Sequence, residues 1–175
     1  MSIDVPVGPA VAPRPRDSEV PIRPPGRVES GHIQGGFVIP ERYAPYTYAL
    51  FRIVFGLLFF CFGLQKVAGL FGGQAVQLMS LQGAAGTVET VCGFLIMIGL
   101  FTRPAAFLAS GEMAVAFWYI HVMTIAMGKG LGIPAALVPL NNGGVDSVAF
   151  CFAFLYICSR GAGLLSVDRS MGRKS

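Results

Sequence analysis

Charge is what this 175-residue chain has least of. Asp, Glu, Lys and Arg make up 13% of it, about half of the roughly 25% that a soluble domain carries. With 54% hydrophobic residues, too little polar surface is left to coat a water-soluble globule. The class is therefore integral membrane protein. Histidine is nearly absent, with only His32 and His121. A bis-histidine haem would have to recruit His32 from a proline-rich tail. Cys61, Cys92, Cys151 and Cys158 form no C-x-x-C pair, and all lie in apolar runs. They read as buried thiols behaving as small hydrophobes. Cys151 and Cys158 share a helix, about 10 Å apart along its axis, too far to bridge. The chain shows no phosphate loop, nucleophile motif, metal cluster or nucleic-acid signature, so no catalytic apparatus or resident cofactor is evident. No apolar stretch follows Met1, which argues against a signal peptide.

What is present divides into a tail and a membrane domain. Eight of the 12 prolines fall in residues 1–40, with arginines and acids interleaved. Such a segment cannot bury enough apolar surface to offset the entropy of ordering it, so residues 1–42 read as a disordered cytoplasmic tail. Residues 43–166 form the membrane domain, and 167–175 a basic tail. Four apolar segments, about 46–69, 83–101, 104–126 and 145–161, each approach the roughly 20 residues of a spanning helix. The expected fold is an all-α bundle of four transmembrane helices. Pro104 suits a first turn, and the short "TR" link (Thr102, Arg103) makes the second and third spans a tight antiparallel hairpin. Residues 70–83 read as a short interfacial helix, and 127–144 as a Gly- and Pro-rich loop. Arg42, Arg103, Arg160, Arg169, Arg173 and Lys174 fall on one side of this topology and Lys129 on the other. The excess of positive charge places both termini in the cytoplasm.

Charges also lie inside the spans. Arg52 and Lys66 are separated by about 21 Å of helix, less than the roughly 30 Å hydrocarbon core. At about 100° per residue, Arg52, Gly56, Phe59, Gly63 and Lys66 share one face. Glycines on that face would let another helix approach closely. Glu89, Glu112 and Asp146 sit on comparable small-residue stripes of the other spans. Intramembrane ionisable groups are expensive unless paired or wet, so they mark candidate sites. Alternating helix direction puts Lys66, Glu89 and Asp146 in an outer polar layer, near Gln65 and His121. Arg52, Glu112 and Arg160 fall in an inner one. The expected pairs are Lys66 with Glu89 or Asp146, and Arg52 with Glu112. His121, nine residues after Glu112 and so about 180° around the helix, reads as an interfacial histidine. The polar intramembrane site is drawn from Arg52, Lys66, Glu89, Glu112, Asp146 and Asn142.

Several motifs occur in a recognisable order: R-x3-G-x6-G-x2-K from Arg52 to Lys66, and E-x9-GLFTRPAA from Glu89 to Ala106. M-x2-A (Met113, Ala116), NNGGVD (Asn141 to Asp146) and SRGAGLLSVDR (Ser159 to Arg169) follow. Over about residues 46–170 the chain resembles the DoxX family of small bacterial inner-membrane proteins. Where the family often has Glu near the end of the NGG element, this chain has Asp146, an acid of shorter reach. The resemblance implies a four-helix membrane protein tied to quinone-linked redox work, as in the thiosulfate–quinone oxidoreductase subunit that named the family. Its implied partners are the lipid bilayer, membrane oxidoreductase subunits and further copies of the chain, and its implied cofactor is a quinone. Two other readings stay open. The ion pairs fix helix register in a structural or organising protein, or the polar groups line a small-solute conduit.

Overall fold

The computed structural model describes residues 40–172. Among them every regular element is helical. The proline-rich tail lies outside the described residues except for its last positions, where Glu41–Tyr43 make one 3₁₀ turn. That turn leads into α1, Ala44–Ala68. Next come α2, Leu81–Ile98, and α3, Thr102–Ala116. From α3 the chain runs on as a π-helix through Phe117–Ala126. Two single turns follow, α4 (Ile133–Ala136) and α5 (Pro139–Asn142). The chain ends with α6, Val145–Arg160, and α7, Val167–Ser170.

Three helical stretches are long and apolar enough to cross a membrane: Glu41–Ala68, Leu81–Ile98 and Thr102–Ala126. Only 33%, 33% and 28% of their most apolar windows is buried inside the protein. The rest of that apolar surface faces outward, as it must if lipid is the solvent. The fourth long helix, α6, has 16 residues and is about 24 Å long.

The helices pack in chain order, α1 on α2, α2 on α3 and α3 on α6. The first contact is made by glycine. A Cβ on Gly56 would lie 2.6 Å from the backbone nitrogen of Met97, and one on Gly93 would lie 2.8 Å from Cα of Phe60. Gly63 and Gly86 are equally tight against Thr90 and Lys66. Arg52, Gly56, Phe59 and Gly63 are all buried along this seam. The α3–α6 seam uses alanine and methionine (Ala105, Ala109, Met113) against Phe150, Phe154 and Ile157. There the Ser110 hydroxyl donates to the Cys151 carbonyl at 2.9 Å. Between α1 and α6 the contact is aromatic. Phe59 meets Phe154 edge-on with centroids 4.6 Å apart, and Phe55 meets Phe150 at 5.6 Å.

Three local expectations change. The second helix stops at Ile98 rather than 101, because Gly99 turns left-handed at φ 73° and ends it. Residues 70–80 form no interfacial helix. Phe71 and Gly72 take positive φ, Val76 bonds back to the Lys66 carbonyl at 2.9 Å, and helix resumes only at the Ser80 cap. Of the stretch read as a basic tail, Val167–Ser170 form α7 with Asp168 buried, and 173–175 lie outside the described residues.

The glycine seam gives a paired expectation. Gly93→Val should lower stability by about 1–3 kcal/mol through overpacking against backbone that cannot retreat. Gly111→Ala, at an exposed helical position where a Cβ meets nothing within 4 Å, should raise it by about 0.5–1 kcal/mol. Detergent-solubilised unfolding curves for the two variants should move in opposite directions.

Candidate functional site

The intramembrane charges separate into two groups of different character. At the end of the molecule that holds the α2–α3 turn, Arg52 is fully buried. Its Nη1 donates to the carbonyls of Ile96 (2.5 Å) and Met97 (2.9 Å), and its Nη2 to Leu165 (2.8 Å). The last carbonyls of a helix lack intrahelical partners and carry the negative end of its dipole, so a guanidinium there is doubly favoured. The first N–H groups of α3 have the opposite need. Phe101 precedes them in a left-handed conformation (φ 47°) and offers no side-chain cap. Asp168 supplies it, accepting from the backbone N–H groups of Phe101 and Thr102 at 3.1 Å each. The Tyr48 hydroxyl bonds the Gly161 carbonyl, and the Arg160 guanidinium lies over the Tyr48 ring, 5.6 Å from its centroid. The predicted Arg52–Glu112 pair is therefore not formed. Arg52 serves backbone carbonyls, and it does so as a structural clamp.

Glu112 belongs with the other group. It lies ten residues into α3 from Thr102, while Glu89 lies nine residues before the end of α2 at Ile98. Because the two helices run antiparallel from one turn, those offsets put the acids at the same depth. Assigning Glu112 to the inner layer treated it as nearer the turn than it is. At this level Lys66 and Glu89 form an ion pair in which the lysine side chain is 37% exposed and the glutamate 2%. Glu112 interacts electrostatically with both. Glu89 Oε2 and Glu112 Oε2 are buried without a hydrogen-bond partner among the described residues.

These groups face one cavity of about 590 Å³, lined by Lys66, Glu89, Glu112, His121 and Asp146 among mainly apolar neighbours. Phe59, Phe62, Phe150 and Tyr119 supply aromatic walls. Phe62, Leu81, Val115 and Tyr119 line it while being exposed on the outside of the bundle, so the cavity has a rim on the apolar surface. His121 reaches it against expectation. The wider turn of the π-helix, where Met127 N bonds to the Val122 carbonyl five residues back, shifts the register that a regular α-helix would keep. Its Nδ1 donates to the Asn142 carbonyl at 3.1 Å. Asn142 itself is buried in a turn, donating to the Ala136 carbonyl and accepting from Gly144 N, both at 2.8 Å. It holds the loop and does not line the cavity. Asp146 is exposed at the start of α6 and pairs with no cation among the described residues.

Together these observations define a class: a small helical membrane protein with glycine-packed helices, a polar clamp at one end and a carboxylate-lined cavity toward the other. The DoxX family profile matches residues 47–122, and the chain belongs to that family. A protein of Haemophilus influenzae described as uncharacterized is 35% identical over 138 residues, covering 77% of this chain and 97% of the relative. No solved structure matches the chain.

Asp168 and Tyr48 were not legible as polar anchors, because Asp168 sits in a stretch that reads as basic tail. The uncapped start of α3 was the available signal, for a helix opening on Phe-Thr-Arg-Pro needs a carboxylate from elsewhere.

Two outcomes follow. Lys66→Met alone strands a buried carboxylate and should cost about 1–3 kcal/mol. Adding Glu89→Gln should recover most of that loss, since removing both partners is far cheaper than removing one. Asp168→Ala should cost about 1–2 kcal/mol as a lost helix cap. Melting of each variant in nanodiscs reads these differences.

Proposed function

We propose that the protein is a four-span inner-membrane subunit that holds a quinone-type ring in this cavity, in support of a partner oxidoreductase. The observation that carries the reading is Glu89 Oε2. It is buried without a partner, on a residue 2% exposed, at an apolar cavity of about 590 Å³. A fixed acceptor in such a place has no donor among the described residues, and a ligand hydroxyl supplies one.

The rest of the lining fits the same chemistry. Phe59, Phe62, Phe150 and Tyr119 suit the faces of a planar ring. The half-buried Lys66 ammonium can donate to a ring carbonyl, while Glu89 and Glu112 accept from a ring hydroxyl. The rim at Leu81 and Val115 gives a lipid-soluble molecule a lateral way in. A quinone supplies coupled electron and proton exchange when bound. The chain's own residues position the ring, exclude water with aromatic side chains, and hold or release protons at the two glutamates. Electrons come from or go to the partner.

Orientation is argued from charge. Exposed Arg42, Arg103, Arg160 and Arg169 cluster where α1 begins, α2 turns into α3, and α6 ends. Lys129 lies beyond the opposite end of α3 and its π segment. This distribution supports a topology with both termini in the cytoplasm and the 127–144 loop outside. The 24 Å length of α6 is accommodated by local thinning of the bilayer beside the bundle. A through-going solute path is disfavoured, because Phe59, Met113 and Phe154 fill the bundle on the clamp side of the carboxylates.

The test is ligand-linked stability in nanodiscs. A short-tailed benzoquinone or naphthoquinone, each in oxidised and reduced form, at 100 times its Kd should stabilise the protein by about 2.7 kcal/mol. Glu112→Gln should weaken the reduced form about tenfold or more, the loss of one charged hydrogen bond. Absence of any shift with all four probes would remove the quinone reading.

A further inference from the structure

Resting on the reading of the cavity just given, a difference between its two ends carries a second conclusion. On the clamp side of the carboxylate pair the interior is dry. Phe59, Ile96, Ala109, Phe154 and Ile157 are at most 1% exposed. Polar side chains in that half are committed: Arg52 and Ser110 to carbonyls, and Asp168 to backbone N–H groups. Among the described residues Arg52 Nε is the one nitrogen there without a partner, and a guanidinium keeps its protons, so it passes none to the glutamates from that face.

On the loop side the burial falls away in steps. Glu89 is 2% exposed, Glu112 is half-buried, and Asp146 is exposed, yet all three line one cavity. His121 lies on the same wall. Its Nδ1 is tied to the Asn142 carbonyl, so in the neutral ring Nε2 is the acceptor and Nδ1 keeps its proton. The polar groups around the pair are Lys66 and Gln65 from α1 and Gln82 from α2, with the Cys92 thiol of α2, buried and in electrostatic contact with Glu112, on the clamp side. Tyr119 and His121 face it from the π segment, and Asp146 and Ser147 from α6.

We infer that the Glu89–Glu112 pair exchanges protons only with the face carrying residues 127–144, with Asp146 as the surface acid and His121 as the relay. In the outward direction the O–H bond of one glutamic acid breaks and its proton joins His121 Nε2, directly or through water in the cavity. The imidazolium passes the proton to the Asp146 carboxylate, and Asp146 gives it to bulk water. No electrons move in these steps, and the inward direction reverses them. A ring held at the carboxylates would thus be linked to protons of one compartment alone.

Dicyclohexylcarbodiimide reads this directly, because it adds only to a protonated carboxyl group. The full chain is sealed into proteoliposomes, its orientation is scored by tryptic cleavage at Lys129, and the pH of each face is set separately. Peptide mass spectrometry then follows adducts at Glu89 and Glu112, with Glu112→Gln confirming the assignment. The expected result is labelling that falls as pH rises on the Lys129 face and ignores the opposite face. Asp146→Asn with His121→Gln should slow the response to a pH jump about tenfold. Asp146→Asn alone, at an exposed position, should slow it too and serves if the double variant does not fold. Labelling that tracks the other face, tracks both equally, or ignores pH on both overturns the inference, as does an unchanged response in the variants. No quinone is added. Lost asymmetry with ring binding intact therefore sinks only the route, and intact asymmetry without ring binding sinks only the quinone reading.

Discussion

Between α1 and α2, the space that a methyl group would need is already filled by backbone. Gly56 and Gly93 meet there, each against the main chain of the other helix, and Gly63 sits on Glu89 and Thr90. In a bilayer the lipid is as apolar as a leucine, so helices gain little by burying leucines on each other. Close backbone contact supplies the attraction instead. The same contact sets what the polar groups can do. With Gly63 against Glu89, the lysine one turn further along α1 is level with the carboxylate and can reach it without leaving the helix surface. A larger residue at any of these glycines would widen the seam and lengthen that reach. The Lys66–Glu89 pair is thus a product of the glycine seam as much as of its two charges.

The other end of the molecule shows what a charge does when the backbone is its partner. Arg52 lies on the Lys66 face of α1, yet it faces the exhausted carbonyls of α2 rather than a carboxylate. Asp168 faces the opening N–H groups of α3. One residue of each sign is matched to the helix terminus of the opposite partial charge, and between them they hold the Gly99–Phe101 turn. The Asp168 N–H also donates to the Gly99 carbonyl at 3.0 Å, so the segment after α6 is stitched to that turn by main chain as well. This accounts physically for three of the ordered motifs. The arginine of the first, the Gly-Leu-Phe-Thr turn of the second and the Ser-Val-Asp of the last are parts of one junction.

Much of the helical layout was legible in the sequence, because apolar runs, alternating direction and glycine spacing are local or periodic signals. The stripe from Arg52 to Gly63 is such a signal, and it faces protein as its period requires. The charge partners were legible only where depth could be counted correctly. Lys66 and Glu89 fall together under the simple alternation of direction. Glu112 does not, since matching it to Glu89 depends on both sides of the turn: α2 stops at Ile98, three residues before the apolar run gives out, and α3 opens at Thr102, two residues before Pro104. The depth of His121 was legible, beside Lys66, Glu89 and Asp146, but its face was not. A π segment changes the angle per residue, and nothing in Phe-Trp-Tyr-Ile-His announces it. Asp168 was invisible because it caps a helix start through backbone N–H groups, which leave no mark in composition.

The charge count at the cavity separates register from chemistry. One ammonium and one carboxylate suffice to fix how α1 sits on α2, and a neutral pair of the same shape would do so at lower desolvation cost. A second glutamate on α3 adds nothing to that register, because Ser110 and the alanine seam already lock α3 to α6. Yet Glu112 is there, at the depth of Glu89, with an oxygen that no described residue satisfies. Burying a further acid beside an existing one raises the electrostatic cost rather than lowering it. A feature that costs stability and serves no packing role is what a site for protons or for a hydrogen-bonding ligand would leave behind. That surplus carboxylate, more than the ion pair beside it, is the feature on which the ligand reading rests.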